Sequence, residues 1–332
     1  MLAAIRSRAA GVAGLGSGFR RVRLGIGDDC ALLRPRSGEE VAVTTDLSIE
    51  GRHFRLNWHS PESVGHRTLA RGLSDLAAMG AKPVAAFLSL GLPRELTVAE
   101  NGPAWVERFL DGLLGLAREH RVPLVGGDLA ESPLAVADIV LTGVVPRGKA
   151  LLRSGAKAGD RIYVTGSLGG AAAELAALST NPEAFQDRRR GDAAPHLFPQ
   201  PRVKQGIWLR KCGLASAAMD LSDGLSTDLQ HLCEESGGAA EVESAALPLG
   251  TGASLAMALH GGEDYELLFT AAKDVRVPQA IAGVAIAEIG RMRAAKAGRP
   301  TVALRTDNGL EPLMANGWEH FSMNAEKKLK NG

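Results

Sequence analysis

The feature that most constrains this 332-residue chain is the alternation of short runs rich in β-branched residues with longer segments of helical period. Strands are predicted at residues 22–26, 41–45, 84–90, 122–125 and 139–145, with helices at 60–79 and 103–120. Ser60 at the N-cap, Pro61 at the first helical position and Gly80 after the last turn mark both ends of the first helix. This alternation favours an α/β or α+β architecture.

A second unit follows residues 146–160, a segment without period that contains Pro, Gly and basic residues. Such a segment favours a domain boundary, which separates an N-terminal domain (1–147) from a C-terminal domain (148–332). The sequence then predicts strands at 161–165, 215–219, 239–242 and 265–270, helices at 169–178, 201–211, 224–235 and 254–259, and a hairpin of 302–305 with 310–313. The length also fits two domains of roughly 150 residues each.

Charge and cysteine content exclude several classes of protein. The 38 Lys and Arg against 37 Asp and Glu leave a net charge of +1, so no global field would hold nucleic acid or an anionic membrane. Three Cys without C-x-x-C spacing fit a reducing compartment, and a cytoplasmic location is expected. No apolar run approaches the roughly 20 residues of a membrane-spanning helix. Residues 1–23 form a Gly-rich segment expected to be flexible, although residues 1–27 also fit a transit peptide.

Aspartates recur where the predicted strands end and in adjoining turns. They are Asp28, Asp29, Asp46, Asp128, Asp220 and Asp223, with Asp75 on the first helix. Hard divalent cations such as Mg²⁺ need oxygen ligands of this kind. A single Asp in a turn usually caps a helix or forms an Asx-turn, so Asp223 could cap the next helix and Asp75 could face solvent. Acids at the ends of several strands nevertheless favour a metal-dependent ligand site, because open α/β sheets bind ligands there.

Two Gly-rich segments approach nucleotide-binding motifs without completing them. Residues 143–149 read GVVPRGK, one residue short of a P-loop, and Ala150 follows where that loop has Ser or Thr. Residues 164–170, VTGSLGG, lack the G-x-G-x-x-G spacing, so close packing of a helix on a strand is the better interpretation. The motifs of serine hydrolases, zinc hydrolases and protein kinases are absent from the sequence.

Eight segments in order, spanning about residues 24–270, closely resemble thiamine-monophosphate kinases of the aminoimidazole ribonucleotide synthetase superfamily. They are GIGDDCALL, TTDLSIEGRHF, LSDLAAMGAKP, GGD, GVVPRGKALLRSGAKAGD, YVTG, MDLSDGL and GGEDYELLFT, followed by NGWEHF at 316–321. The resemblance implies in-line transfer of the γ-phosphoryl group of ATP to thiamine phosphate, the last step of thiamine diphosphate biosynthesis. It also implies a homodimer in which the N-terminal mixed sheets with helices pair into a barrel, and an α/β C-terminal domain that completes the active site.

The resemblance further implies several Mg²⁺ ions, with ATP as co-substrate, and assigns site residues. The implied metal ligands are Asp29, Thr44, Thr45, Asp46, Asp75, Asp128, Asp220 and Asp223. The implied ATP contacts are Gly127, Asp128, Arg153 and Ser222, and the implied thiamine phosphate contacts are His53, Glu263 and Trp318. No catalytic base is expected, because a phosphate monoester with a second pKa of about 6 is already largely dianionic near neutral pH. The obstacle is repulsion between two polyanions, which positioning and charge neutralisation overcome.

The chain departs from the family pattern at three positions. Gly72 replaces a common Asn, and Leu129 and Ala130 follow GGD where the family has Thr, which would remove a hydroxyl near the nucleotide. Two alternatives stay open: another enzyme of the superfamily, and a non-catalytic nucleotide sensor. A selenophosphate synthetase would need Cys or selenocysteine with Lys in the N-terminal segment, and residues 1–27 contain neither Cys nor Lys. A sensor should have lost a metal ligand, and none of the implied ligands is missing.

Overall fold

The computed structural model describes residues 7–8, 21–24, 32–98 and 104–318. The chain forms two compact units. The first contains residues 1–76, 81–150 and 182–203, and the second contains 77–80, 151–181 and 204–332. The units therefore do not follow one cut in the chain, because residues 182–203 return to the first unit. Most of the segment predicted to be flexible, residues 1–23, lies outside the described residues.

No helix in the described ranges is long and apolar enough to cross a membrane.

The first unit is a mixed sheet with helices, as the sequence predicts. Its elements are β1 (Val22–Leu24), β2 (Leu32–Leu33), β3 (Glu39–Ile49), α1 (Pro61–Ala78), β4 (Lys82–Leu92), α2 (Trp105–His120), β5 (Leu124–Glu131) and β6 (Val136–Pro146). Four strands form the sheet in the order β3-β6-β4-β5, with β4 and β5 parallel and the other pairs antiparallel.

Helix α1 begins where the sequence predicts, because the Ser60 hydroxyl accepts a hydrogen bond from the Ser63 backbone N–H at 3.2 Å. Leu69 and Leu73 of α1 and Leu141 of β6 are fully buried. A methyl group at Gly72 would lie 2.8 Å from the Leu141 side chain. The departure from the family at Gly72 therefore lets Leu141 pack closely against α1.

The second unit is built on a larger mixed sheet. Its elements are β7 (Arg161–Thr165), α3 (Gly170–Thr180), α4 (Val203–Cys212), β8 (Ala217–Asp220), α5 (Leu225–Ser236), β9 (Gly238–Glu243), α6 (Leu255–His260), β10 (Leu267–Ala271), β11 (Ala280–Ile281), β12 (Val284–Ala294), β13 (Val302–Thr306) and β14 (Gly309–Pro312). The strand order is β14-β13-β9-β12-β7-β10-β8, with β11 paired to β12. Only β9 and β13 run parallel among these pairs. Each predicted element of this unit is present, with ends that match the prediction or differ by at most two residues.

The VTGSLGG segment joins β7 to α3 and serves close packing. Gly166 has φ +59°, and a methyl group there would overlap the carboxylate of Glu266. A methyl group at Gly169 would lie 2.6 Å from the backbone nitrogen of Ala258. These two glycines therefore permit close packing against Glu266 and against helix α6, while packing of a helix on a strand stays a prediction.

Strand β12 was not predicted from the sequence, although it lies between β9 and β7 within the sheet. Its alternation is interrupted by an irregularity between Glu288 and Gly290. Two positions of β12 carry charged side chains, Arg291 and Arg293, where an apolar or neutral residue would have indicated a strand. Both side chains form ion pairs with Glu241 on β9. The cross-strand partner, which sequence patterns do not show, makes these charges compatible with the sheet.

Glu241 is the centre of this charge cluster. It accepts hydrogen bonds from Arg291 (3.1 Å), from Arg293 Nε (2.9 Å) and from Arg305 Nε on β13 (2.9 Å). Burial favours the neutral carboxyl, but the hydrogen bonds from Arg305, Arg293 and Arg291 outweigh it and lower the pKa of Glu241 from 4.5 to about 2.

Replacing Glu241 by Gln should therefore lower the free energy of unfolding at neutral pH by roughly 1–3 kcal/mol. The substitution removes the buried negative charge that three guanidinium groups bind. The folded pKa lies below the unfolded pKa, so the stabilisation is complete above about pH 4.5 and is lost as the pH falls towards 2. Urea unfolding of both proteins at a series of acidic pH values should show the difference shrinking. Glu288→Gln, which breaks an exposed pair with Arg161, is the control and should cost less than about 1 kcal/mol. A loss independent of pH would contradict the assignment.

Candidate functional site

In the first unit, one face of β3 presents polar side chains to α1. The Thr44 hydroxyl donates to the Asp75 carboxylate. Asp46 forms a 2.6 Å ion pair with Arg71, whose other terminal nitrogen donates to the Ser48 hydroxyl at 3.3 Å. Thr44, Asp46 and Asp75, all implied metal ligands, are thus gathered on this face. Asp75 is half-buried against β3, so the alternative in which it faces solvent is wrong.

Thr45 differs from its neighbours because successive side chains of a strand point to opposite faces. Its side chain is exposed, whereas those of Thr44 and Asp46 are half-buried. The Thr45 side chain therefore does not share the face with these ligands, and a role for this residue as a metal ligand would need its backbone carbonyl. Asp28 and Asp29 lie outside the described residues, so the assignment of Asp29 stays a prediction.

The GGD motif lies on β5, an edge strand of the sheet. Gly127 has φ +148°, and a methyl group there would meet the Leu88 carbonyl oxygen at 1.8 Å. The motif therefore needs glycine at this position for β5 to approach β4. Asp128 is exposed, and its Oδ1 accepts a 2.8 Å hydrogen bond from the backbone N–H of Leu129.

Leu129 and Ala130, where the chain departs from the family, line a cavity of about 170 Å³ beside this edge. The other lining residues are Leu90, Leu92, Arg94, Thr97 and Glu131. The departures therefore supply apolar surface next to Asp128.

In the second unit, the MDLSDGL motif forms a turn from the end of β8 into α5. Asp220 is buried at the end of β8. The carboxylate of Asp228, one turn into α5, accepts backbone N–H bonds from Ser222, Asp223 and Gly224 at 3.1, 3.1 and 3.0 Å. Asp228, rather than Asp223, therefore binds the N–H groups of the turn that precedes α5.

Three carboxyl groups interact around this turn. Burial and the charges of Asp220 and Asp223 raise the pKa of Asp228 to about 8. A cation near the turn would relieve the repulsion among these three acids. Ser222, an implied ATP contact, is held in the same turn.

Two implied acceptor contacts are tied to this turn by backbone hydrogen bonds. The Glu263 N–H donates to the Ser222 carbonyl at 2.8 Å, and the Trp318 N–H donates to the Asp223 carbonyl at 2.9 Å. Glu263 has φ +67°, a strained conformation for a residue with a side chain. Trp318 is half-buried rather than part of the core. The structure thus brings Asp220, Ser222, Asp223, Glu263 and Trp318 into one neighbourhood.

The remaining implied residues are placed less specifically. Arg153 is exposed, and its carbonyl accepts a bond from the Ser236 hydroxyl at 2.9 Å. His53 lies in the loop after β3, where its Nδ1 accepts a 3.0 Å bond from the Ile49 N–H.

Sequence reasoning missed two residues of the site, Arg71 and Asp228. Arg71 lies on the same helix as Asp75, one turn earlier, and this spacing puts both on one face. Asp228 follows Asp223 by five residues within LSDGLSTD, a position in the first turn of α5 from which a carboxylate reaches back to the preceding turn. Spacing along a helix could therefore have indicated both residues.

The donor chemistry fits Mg²⁺, although no group of three His, Cys, Asp or Glu side chains in the described part of the chain is arranged to hold a metal ion. Mg²⁺ usually takes one or two carboxylates and completes its shell with water and substrate phosphate oxygens. Asp46 with Asp75, and Asp220 with Asp223, are pairs of carboxylates that could supply the protein's share of such a coordination shell.

Comparison with known proteins agrees with this fold. Residues 27–145 match the family model "AIR synthase related protein, N-terminal domain", and residues 157–303 match "AIR synthase related protein, C-terminal domain". These matches define a two-domain mixed α/β protein of the AIR synthase-related class.

The relatives narrow the class further. The thiamine-monophosphate kinase of Salmonella typhimurium is 43% identical over 291 residues, which cover 82% of this chain and 85% of the relative. The crystal structure of the Stenotrophomonas maltophilia thiamine-monophosphate kinase aligns with a TM-score of 0.76 at 36% identity, covering 90% of this chain and 94% of the other. AaThiL complexed with AMPPCP and TMP aligns with a TM-score of 0.73 at 31% identity, covering 87% and 89%. The chain belongs to the thiamine-monophosphate kinase family and is a phosphotransferase.

Proposed function

We propose that the chain transfers the γ-phosphoryl group of ATP directly to the phosphate of thiamine monophosphate and so forms thiamine diphosphate. The observation that carries the proposal is the gathering of Asp220, Ser222, Asp223, Glu263 and Trp318 around one turn. The similarity to AaThiL, which was solved with AMPPCP and TMP, supports ATP and thiamine monophosphate as the substrates.

Aspartates of both units would hold several Mg²⁺ ions in this proposal. Asp46 and Asp75, with the Thr44 hydroxyl, are the candidates in the first unit, and Asp220 and Asp223 are those in the second. Bound Mg²⁺ would neutralise charge on the phosphate oxygens of the two substrates. Asp29, Thr45 and Asp128 remain proposed ligands.

The reaction needs no general base from the protein, because the acceptor phosphate already carries an ionised oxygen near neutral pH. The protein's contribution is to hold two anions close and in line. Gly127, Asp128, Arg153 and Ser222 are proposed to bind ATP. His53 and Glu263 would contact thiamine phosphate, and the face of Trp318 would stack with the cationic thiazolium, a contact worth roughly 0.5–2 kcal/mol.

The proposal is tested by incubating the purified chain with ATP, Mg²⁺ and either thiamine phosphate, thiamine or no acceptor. ADP and thiamine diphosphate are measured, and a chelator provides the control. We expect thiamine diphosphate only from thiamine phosphate, and none once Mg²⁺ is chelated. ADP without thiamine diphosphate would indicate another acceptor of the superfamily. Binding of ATP without turnover would instead support the nucleotide sensor.

The proposal includes a homodimer, which one face of β3 supports. The side chains of Val41, Val43 and Leu47 lie on the face opposite Thr44 and are 49, 62 and 46% exposed. An apolar strip of this kind on a strand is favourable only when something covers it. The occupant we propose is the same strip of a second copy, with which the sheets would pair into the barrel.

Replacing Val43 by Glu should convert the dimer into a monomer, because the interface would then bury two unpaired carboxylates, one from each copy. Light scattering after gel filtration measures the mass of both proteins. Leu310→Glu, which changes an equally exposed apolar residue of the second unit, should leave the dimer intact. A wild-type chain that elutes as a monomer would contradict the proposal.

A further inference from the structure

Buried hydrogen bonds in the first unit connect residues 182–203 to the loop that carries His53. Arg67 on α1, His196 and His59 are 4, 2 and 4% exposed. A terminal nitrogen of Arg67 (Nη1) lies 2.9 Å from His196 Nδ1, and His196 Nε2 lies 3.0 Å from His59 Nε2. The proposed reaction assigns no role to these three residues.

The chemistry of these groups gives the hydrogen bonds one direction. A guanidinium only donates, so His196 Nδ1 must accept and its proton must be on Nε2. His196 Nε2 therefore donates to His59 Nε2. His59 Nδ1 lies against the backbone of Arg55, 3.2 Å from its nitrogen and 3.3 Å from its carbonyl oxygen.

Arg67 also binds the loop itself. Its second terminal nitrogen (Nη2) donates to the His53 carbonyl at 3.2 Å, while Nη1 also donates to the His196 carbonyl. The His53 N–H donates to the Ile49 carbonyl at 2.9 Å, and His53 Nδ1 accepts from the Ile49 N–H at 3.0 Å. Because His53 Nδ1 accepts this bond, the proton of the neutral ring is on Nε2. An Nε2–H group can donate a hydrogen bond to a phosphate oxygen.

We propose that Arg67 and His196 are positioning residues that orient His53 toward the acceptor phosphate. His196 holds the guanidinium of Arg67 at two points, and Arg67 holds the backbone of the His53 loop. The two residues thus set the affinity for thiamine phosphate without touching it. This inference rests on the proposed contact between His53 and the acceptor.

The test measures calorimetric binding of thiamine phosphate and the KM for each substrate, at a pH near 8 where the acceptor phosphate is fully ionised. Arg67→Lys keeps the charge but loses the two-pronged contact. It should raise the Kd and KM for thiamine phosphate about tenfold, with the KM for ATP changed less than about twofold. His196→Leu should act similarly, and His196→Asn should restore part of the affinity, because its carbonyl oxygen can accept from Arg67.

A double-mutant cycle separates positioning from general damage. His53→Ala alone should weaken thiamine phosphate binding, and adding His196→Leu to it should cause no further loss. His66→Leu is the matched control. His66 is equally buried on α1 and donates to the Pro199 carbonyl at 2.7 Å, but the bonds described above do not connect it to His53. It should lower the melting temperature and leave the KM for thiamine phosphate unchanged.

Two results would overturn the inference. One is a His196→Leu effect that persists in the His53→Ala background. The other is an equal rise of the KM for both substrates in Arg67→Lys. Failure of the proposed function looks different. In that case the wild-type chain would not bind thiamine phosphate, or His53→Ala would bind it as well as the wild type does.

Discussion

Replacing Asp220 by Asn should lower kcat by about 10³-fold while the melting temperature of the metal-free protein stays unchanged or rises. Asp220 is a proposed metal ligand, and charge neutralisation by metal ions supplies several kcal/mol of transition-state stabilisation in phosphoryl transfer. The melting temperature moves differently because Asp220 is itself buried and, after burial of Asp228, the charge of Asp220 is the next largest cause that raises the pKa of Asp228. Asn fills the same volume without the charge.

Steady-state kinetics with titrated Mg²⁺, together with thermal unfolding in a chelator, check this expectation. Asp274→Asn, which removes the charge of an exposed acid in the same unit, should change neither quantity. A fall in melting temperature that accounts for the lost activity, with normal kcat in the folded fraction, would show that Asp220 has a structural role instead.

Replacing Gly112 by Ala should lower the free energy of unfolding by about 3 kcal/mol or more. Helices α1 and α2 touch through their backbones, and a methyl group at Gly112 would lie 1.9 Å from the Glu62 carbonyl oxygen. Since neither backbone can yield locally, the helices must move apart and lose buried contacts. Gly65, whose methyl group would meet the Phe109 carbonyl oxygen at 1.9 Å, should behave alike.

Chemical denaturation of the full chain measures this effect, and α2 offers a control. A methyl group at Gly115, three residues further along the same helix, would have the Arg190 side chain as its nearest neighbour, at 3.5 Å. Because alanine favours the helix more than glycine does, Gly115→Ala should be neutral or more stable by up to about 1 kcal/mol. Equal losses for Gly112→Ala and Gly115→Ala would contradict the backbone contact.

Most elements were predictable because their signals are local. Ser60, Pro61 and Gly80 bracket α1 as expected, and β7 has the predicted limits. Strand β12 was missed because its charged positions are explained only by Glu241 on another strand.

The candidate site divides in the same way. Aspartates at strand ends could be identified from the sequence, because their chemistry and position need no knowledge of partners. Thr44 and Thr45 were assigned together, yet they lie on opposite faces of β3, which follows from strand geometry once the strand is known to include both. Arg71 and Asp228 were missed, although their spacing from Asp75 and Asp223 could have indicated both.

The sequence by itself determined the class of chain, the order of its elements and the acids that make metal-dependent phosphoryl transfer the expected chemistry. These conclusions depend on residue type and spacing over a few turns of chain. Only the tertiary structure decided that residues 182–203 join the first unit, and that Arg67 meets His196 across 129 positions. Such contacts depend on which surfaces are buried against each other, and no local pattern in the chain carries that information.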